Sequence, residues 1–254
     1  LNDEGFQVIR FDNRDSGLST KFAGQNVSTL RFLGGVLSRR RPPAPYLIEY
    51  MAADAAALLD GLGIPSAHVV GSSLGGMIAQ ALAISEPHRV RSLTSIMSHT
   101  GDRRNGRIST RLLLRLPRLS RVNEANRLDK AVLMAEALSG DHFDAHEARR
   151  RVGHAIERFW DPKAGERQSQ ALFGSPDRTP LLRRLTMPTL VMHGRRDPLV
   201  LPSGGRATAA AIPGSRLVEF DDMGHDLPRH RWQEMATAIA ANAQRSFSPR
   251  LVGA

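Results

Sequence analysis

A serine set among glycines, in Gly71-Ser72-Ser73-Leu74-Gly75, is where this sequence first offers chemistry that can be read from spacing. The order G-x-S-x-G suits a sharp turn from a strand into a helix. Such a turn holds the serine in a strained backbone conformation, and small neighbours let strand and helix come close enough to expose its Oγ. A hydroxyl placed this way becomes a nucleophile when a base takes its proton and an acid orients the base. Among nine histidines, His225 in "DDMGHDLP" follows a predicted strand, Arg216 to Phe220, and Asp197 in "VMHGRRDPLV" follows another. Ser73, Asp197 and His225 therefore each fall just past a strand end, along the one edge of a parallel sheet where ligands are bound. The competing reading of the glycines is a helix N-terminus that merely binds an anion. An apolar run before Ser73 and a helical pattern after it favour the elbow.

Other residues fit these roles less well. His230 is the reserve base, and Asp221 and Asp222 are alternative acids that sit close in sequence to His225. His68 lies in or beside its strand and reads as structural, and His193 before Gly194 reads as a packing or turn residue. His142 and His146, four apart around Asp144, would share one helix face. With no H-E-x-x-H match and no evident third ligand, they read as a polar helix surface and no metal is expected. Asp12, Arg14, Asp15 and Gly17 read as a hydrogen-bonded turn near the pocket.

Positioning these residues requires alternating elements. "FQVIRF" (Phe6 to Phe11) alternates like a strand and ends in the turn residues "DNRDSGLS". Tyr46 to Leu62 repeats apolar residues at a helical period and stops at Gly61 and Gly63. There follow a strand from Ala67 to Val70, a helix from Gly75 to about Ser85 and a strand from Val90 to Met97. Beyond residue 185 come a strand from Thr189 to His193, a helix from about Gly204 to Ile212, the strand Arg216 to Phe220 and a helix around Arg231 to Ala241. Strands alternating with helices predict an α/β fold: a mostly parallel sheet with helices on both faces, three layers in all. Residues 100–185 show amphipathic helical patterns and no convincing strand, so the chain divides into core (1–99), helical cap insertion (100–185) and core again (186–254).

At 254 residues and 41% hydrophobic content the chain can bury one sizeable core without staples. It has no cysteine, which excludes thiolate catalysis and thiolate metal sites and is compatible with a reducing compartment. No run is long and apolar enough for a membrane span and no leader pattern opens the sequence, so a cytoplasmic, soluble protein is expected. The formal charge of +10 is nearly all arginine, concentrated in Arg39-Arg40-Arg41 and in residues 103–121. Without interleaved aromatics or a nucleic-acid motif it reads as a solvated surface, so neither a nucleic-acid nor a membrane partner is expected.

Taken together, "VIRFDNRDSGLST", "YLIEYMAADAAALLDGLGIPSAHVVGSSLGGMIAQALA", "PTLVMHGRRDPLV" and "GGRATAAAIPGSRLVEFDDMGHDLP" resemble the α/β-hydrolase superfamily, and within it serine esterases of the aclacinomycin methylesterase type. The resemblance runs from Phe6 to about Ala241. It implies Ser73 as nucleophile, His225 as general base, Asp197 as orienting acid, and the backbone N–H of Leu74 as one oxyanion donor. It also implies no cofactor and a small-molecule ester as substrate. A serine at position 73 argues against relatives of this fold that carry an aspartate there. Such proteins usually open with three further strands and a His-Gly loop giving a second oxyanion donor, which this sequence does not show. The expectation is an N-terminally incomplete sheet with a gap between the strand at Phe6 and that at Ala67. An impaired fragment, or a lactonase, thioesterase, carbon-carbon hydrolase or cofactor-free haloperoxidase with the same three residues, is the alternative.

Overall fold

A computed structural model describes residues 1–24, 27–37, 41–119 and 123–247. Arg39, Arg40 and Arg121, from the basic runs named above, lie outside them. Four parallel strands form one sheet in spatial order β1 (Ala67–Ser72), β2 (Val90–Ile96), β3 (Thr189–Gly194) and β4 (Arg216–Phe220). Register is set by pairs such as Val70 with Thr94, Ser95 with Val191 and Met192 with Val218. The helices are α1 (Thr29–Leu37), α2 (Ile48–Gly61), α3 (Leu74–Ser85), α4 (Thr110–Leu119), α5 (Arg127–Leu138), α6 (Ala145–Arg158), α7 (Pro162–Gly174), α8 (Thr179–Leu182), α9 (Ser203–Ala211) and α10 (Trp232–Gln244).

Successive strand residues point to opposite faces, so a parallel sheet buried on both sides needs two apolar layers. Leu190 and Met192 of β3 join Ile96, Phe220 and the α10 residues Met235 and Ile239 in one cluster. Leu93 of β2 joins the other, with Met51 and Ala52 of α2, Met77 and Ile78 of α3, and Ile212 after α9. Each side chain buried to this degree contributes roughly 1.5–3 kcal/mol. These layers hold β1, β3 and β4 with their C-terminal ends at one edge.

The connection from β2 to β3 carries α4 to α8 and, among the described residues, no strand. Its middle is packed more lightly than the core, α5 having no fully buried residue and α6 only Ala148, while Ala171 of α7 and Leu182 of α8 join the core cluster of Leu93. No described helix is long and apolar enough to cross a membrane.

One predicted element is absent. Phe6 to Phe11 is irregular, with Val8, Ile9 and Phe11 exposed by 40%, 45% and 45%. The alternation is there, but β1 pairs only with β2, and a segment without a hydrogen-bonded neighbour cannot complete a ladder. Among the described residues no strand lies between Phe6 to Phe11 and β1, which is the edge of a sheet whose four strands pair without interruption. Downstream of Phe11 the turn is tightly held. Asp15 and Arg167 make a two-pronged buried ion pair at 2.7 and 2.9 Å, and Tyr46 donates its hydroxyl to Asp15 at 2.7 Å. Asp12 accepts the Leu18 N–H at 2.9 Å and pairs with Arg158, while Arg14 pairs with Asp54 of α2. The structural reading of this turn matches those contacts.

Candidate active site

Ser73 sits between the last residue of β1 and the first of α3, with φ 53° and ψ −121°. Positive φ is costly for a non-glycine residue, and the surroundings impose it. The Ser73 N–H is held by the carbonyl of Ile96 at 2.9 Å, and the Ser73 carbonyl accepts from Gly76 N at 2.9 Å. The glycines are not equivalent. A Cβ on Gly71 would lie 2.0 Å from the Gly75 carbonyl oxygen, and one on Gly76 would lie 2.7 Å from Ser98 Cβ, whereas one on Gly75 meets nothing within 4 Å. Gly71 and Gly76 thus permit the close approach of strand, helix and the chain after β2; Gly76 stands outside the five-residue pattern.

The structure brings Ser73, His225 and Asp197 together. His225 Nε2 lies 2.8 Å from Ser73 Oγ, and His225 Nδ1 lies 2.7 Å from Asp197 Oδ2. An ionised carboxylate only accepts, so Nδ1 carries the proton and donates, leaving Nε2 to accept from the serine hydroxyl. Asp197, 1% exposed, follows β3; its Oδ1 accepts the N–H groups of Leu199 and Val200 at 2.9 and 2.8 Å. Burial works to raise its pKa, but hydrogen bonds from His193, His225 and Val200 outweigh this and hold it below the ordinary carboxylate value. Asp197 is therefore charged at neutral pH. The His225 N–H donates to the Leu138 carbonyl at the end of α5, at 2.7 Å, which ties the loop carrying His225 to the helical segment. Leu74 opens α3, so its N–H is among the first-turn amides that favour negative charge.

The other candidates are engaged elsewhere. His68 Nδ1 meets Ser92 Oγ at 2.9 Å across β1 and β2. His230 bonds Asp222 at 2.8 Å, and Asp221 pairs with Arg195 at 2.7 Å. His193 is completely buried; its Nε2 lies 2.7 Å from the Val200 carbonyl and 3.3 Å from Asp197 Oδ2. Sequence reasoning left its support of Asp197 unseen, although the spacing of four in "HGRRD" was a usable signal. It also missed a buried group behind the elbow, where Arg178 reaches Gln80 of α3 at 3.3 Å and the His99 carbonyl at 3.0 Å. Burial, then the Arg178 charge, pushes His99 down to about 4, so it is neutral there. His142 and His146 do not share a helix face, because α6 begins at Ala145 and His142 precedes it.

A carboxylate, an imidazole and a hydroxyl in one chain of hydrogen bonds can activate the hydroxyl for attack on an electrophilic carbon. A known family, described as the alpha/beta hydrolase fold, matches residues 1–228. Rhodomycin D methylesterase from Streptomyces peucetius is 32% identical over 267 aligned residues, covering 94% of this chain and 82% of that protein. Its counterpart from Streptomyces sp. (strain C5) is 31% identical, with 94% and 82% covered. Among solved structures, an esterase from Exiguobacterium antarcticum superposes with a TM-score of 0.65 at 18% identity, covering 93% of this chain and 80% of that one.

Proposed function

The chain belongs to the α/β-hydrolase fold family and is a hydrolase, and from that premise we propose that it is a cofactor-independent carboxylic-ester hydrolase working through an acyl-enzyme. The observation supporting this reading is the continuous hydrogen-bond chain from Ser73 Oγ through both nitrogens of His225 to Asp197. As Ser73 Oγ bonds to the ester carbonyl carbon, its proton passes to His225 Nε2, and the imidazolium is stabilised by Asp197. The carbonyl oxygen becomes an oxyanion, for which the Leu74 N–H is a donor. Collapse breaks the bond to the alcohol oxygen, which leaves with the proton from His225. Water then attacks the acyl carbon as His225 takes a proton from it. The second tetrahedral species releases the carboxylic acid and returns the proton to Ser73. A methyl ester is the substrate class this reading favours, by analogy with the rhodomycin D methylesterases. The helices of residues 100–185 would cap the pocket, and a cytoplasmic setting accords with the lack of cysteine.

A fluorophosphonate probe and an ester assay test this directly. One covalent adduct per chain, absent from Ser73→Ala, and a loss of ester hydrolysis of about 10⁴-fold or more in that variant are expected. A folded chain that takes no adduct, or an adduct that persists in Ser73→Ala, overturns it.

A further inference from the structure

His142, in the chain between α5 and α6, is brought by the fold against Asp222 and His230, which lie in the connection from β4 to α10. His230 Nε2 is 2.8 Å and His142 Nε2 is 3.7 Å from the same oxygen, Asp222 Oδ2. The two imidazole rings are edge to face with centroids 4.6 Å apart. One potential ligand atom from each of the three residues lies within 4.8 Å of the others. The remaining oxygen, Asp222 Oδ1, is occupied by Arg231 Nε at 3.2 Å, so the carboxylate is anchored by one oxygen with the other aimed at the histidines. The group opens onto a cavity of about 600 Å³ whose lining includes His142, His146, Asp226, His230 and Trp232.

We propose that His142, Asp222 and His230 form a binding site for a divalent transition-metal ion of the zinc type, pinning the chain after α5 to the loop that carries His225. Two imidazoles and a carboxylate are a borderline-soft donor set that suits zinc, nickel or copper over calcium or magnesium. Zinc bonds of about 2.0–2.2 Å in tetrahedral array put ligand atoms roughly 3.3 Å apart, between the two separations measured here. Small side-chain adjustments would satisfy that geometry and leave a fourth position for water or another donor. Both histidines are exposed, so an ion can reach the site without opening the core. Asp141 N already bonds the Asp222 carbonyl at 2.9 Å, so the two loops are in register for a clamp, and Arg196, in the loop after β3, pairs with Asp141 at 3.0 Å. Two of the three ligands, Asp222 and His230, come from a connection remote in sequence, and His146, the partner suggested by spacing, is not part of the site.

The test uses the full chain, free of any affinity tag and stripped with chelator, titrated with zinc chloride by calorimetry. Saturable binding of one zinc ion per chain is expected, weakened at least tenfold in His142→Ala and in His230→Ala and unchanged in His146→Ala. Zinc should also raise the thermal midpoint of the parent chain and leave that of the His142→Ala/His230→Ala variant unmoved. Far-UV circular dichroism of each variant establishes that it is folded. Absence of saturable binding, binding that survives the double variant, or binding lost in His146→Ala overturns the proposal. None of these readouts depends on hydrolase activity.

Discussion

Residues 67–73 and residues 6–15 follow a similar plan: a short strand-like apolar stretch running into a polar turn. In the first, Ala67–Ser72 pairs with β2 along its whole length and delivers Ser73 at φ 53°. In the second, Phe6 to Phe11 finds no ladder, and the turn after it is fixed by the buried Asp15–Arg167 pair and not by a sheet. The difference teaches that a period of two states what a segment can do, while the partner decides whether it does so. It also separates two ways of holding a turn. Steric closeness between glycines exposes a reactive group, whereas a satisfied buried charge fixes position and leaves nothing free to react.

Among changes that keep Ser73, His225 and Asp197, the largest effect on hydrolysis is expected from breaking the steric half. Gly71→Ala places a Cβ 2.0 Å from the Gly75 carbonyl oxygen, and that neighbour is backbone, so β1 and α3 must separate. Ester hydrolysis should fall by about 10²-fold or more through misplacement of Ser73, with a stability loss on the order of 3 kcal/mol. Gly75→Ala is the matched control: its Cβ meets nothing within 4 Å, and alanine is the better helix former by up to about 1 kcal/mol. Urea titration and the ester assay on the two variants check this. Equal damage from both would mean that the pattern, and not the close approach, is what the elbow requires.

Breaking the electrostatic half should act on stability and not on chemistry. Asp15→Asn removes the two-pronged partner of Arg167 but leaves its pair with Asp161 at 3.2 Å, so the loss should be about 3 kcal/mol or less, while the folded fraction should keep its hydrolysis rate within a few-fold. Replacing both partners, Asp15→Asn with Arg167→Met, should cost less than the sum of the single changes. Burial pushes the Asp15 pKa up, but hydrogen bonds from Arg167, the Phe22 N–H and Tyr46 hold it below its usual 3.8. A lowered carboxylate pKa gives a contribution that is complete above 3.8 and fades as pH falls through the folded-state value. Acid unfolding below about pH 4 should therefore be shallower in Asp15→Asn than in the parent chain.

How far the sequence could be read follows the same division. The strands Val90–Ile96 and Thr189–Gly194 were legible because they are buried between helices whose own periodicity is plain, and so was the edge strand Arg216–Phe220, although its first residues are exposed. Ser73, Asp197 and His225 were legible because each follows a strand, and the sheet brings strand ends to one edge. What was not legible is contact between segments that sequence leaves far apart. Gly76 matters because Ser98 lies against it, His193 because it turns back under Asp197, and His142 because the fold sets it against Asp222 and His230. The spacing of His142 and His146 pointed to a helix face that α6, starting at Ala145, does not provide.

The smallest effect sharpens the comparison most. Phe11 is an aromatic residue in a strand-like pattern, so if Phe6 to Phe11 were a sheet strand its replacement would remove core packing. It is 45% exposed, and Phe11→Ser should change stability by only about 0.5 kcal/mol. Leu93→Ala, at a fully buried position of β2, should cost about 2–5 kcal/mol. Chemical denaturation of the two variants measures both. If Phe11→Ser matched Leu93→Ala, the segment would be part of the core and the contrast between the two regions would fail. If the small value holds, residues 6–11 carry a strand's alternation without a strand's packing, and the Asp15 turn is held by its ion pairs and hydrogen bonds and not by a ladder.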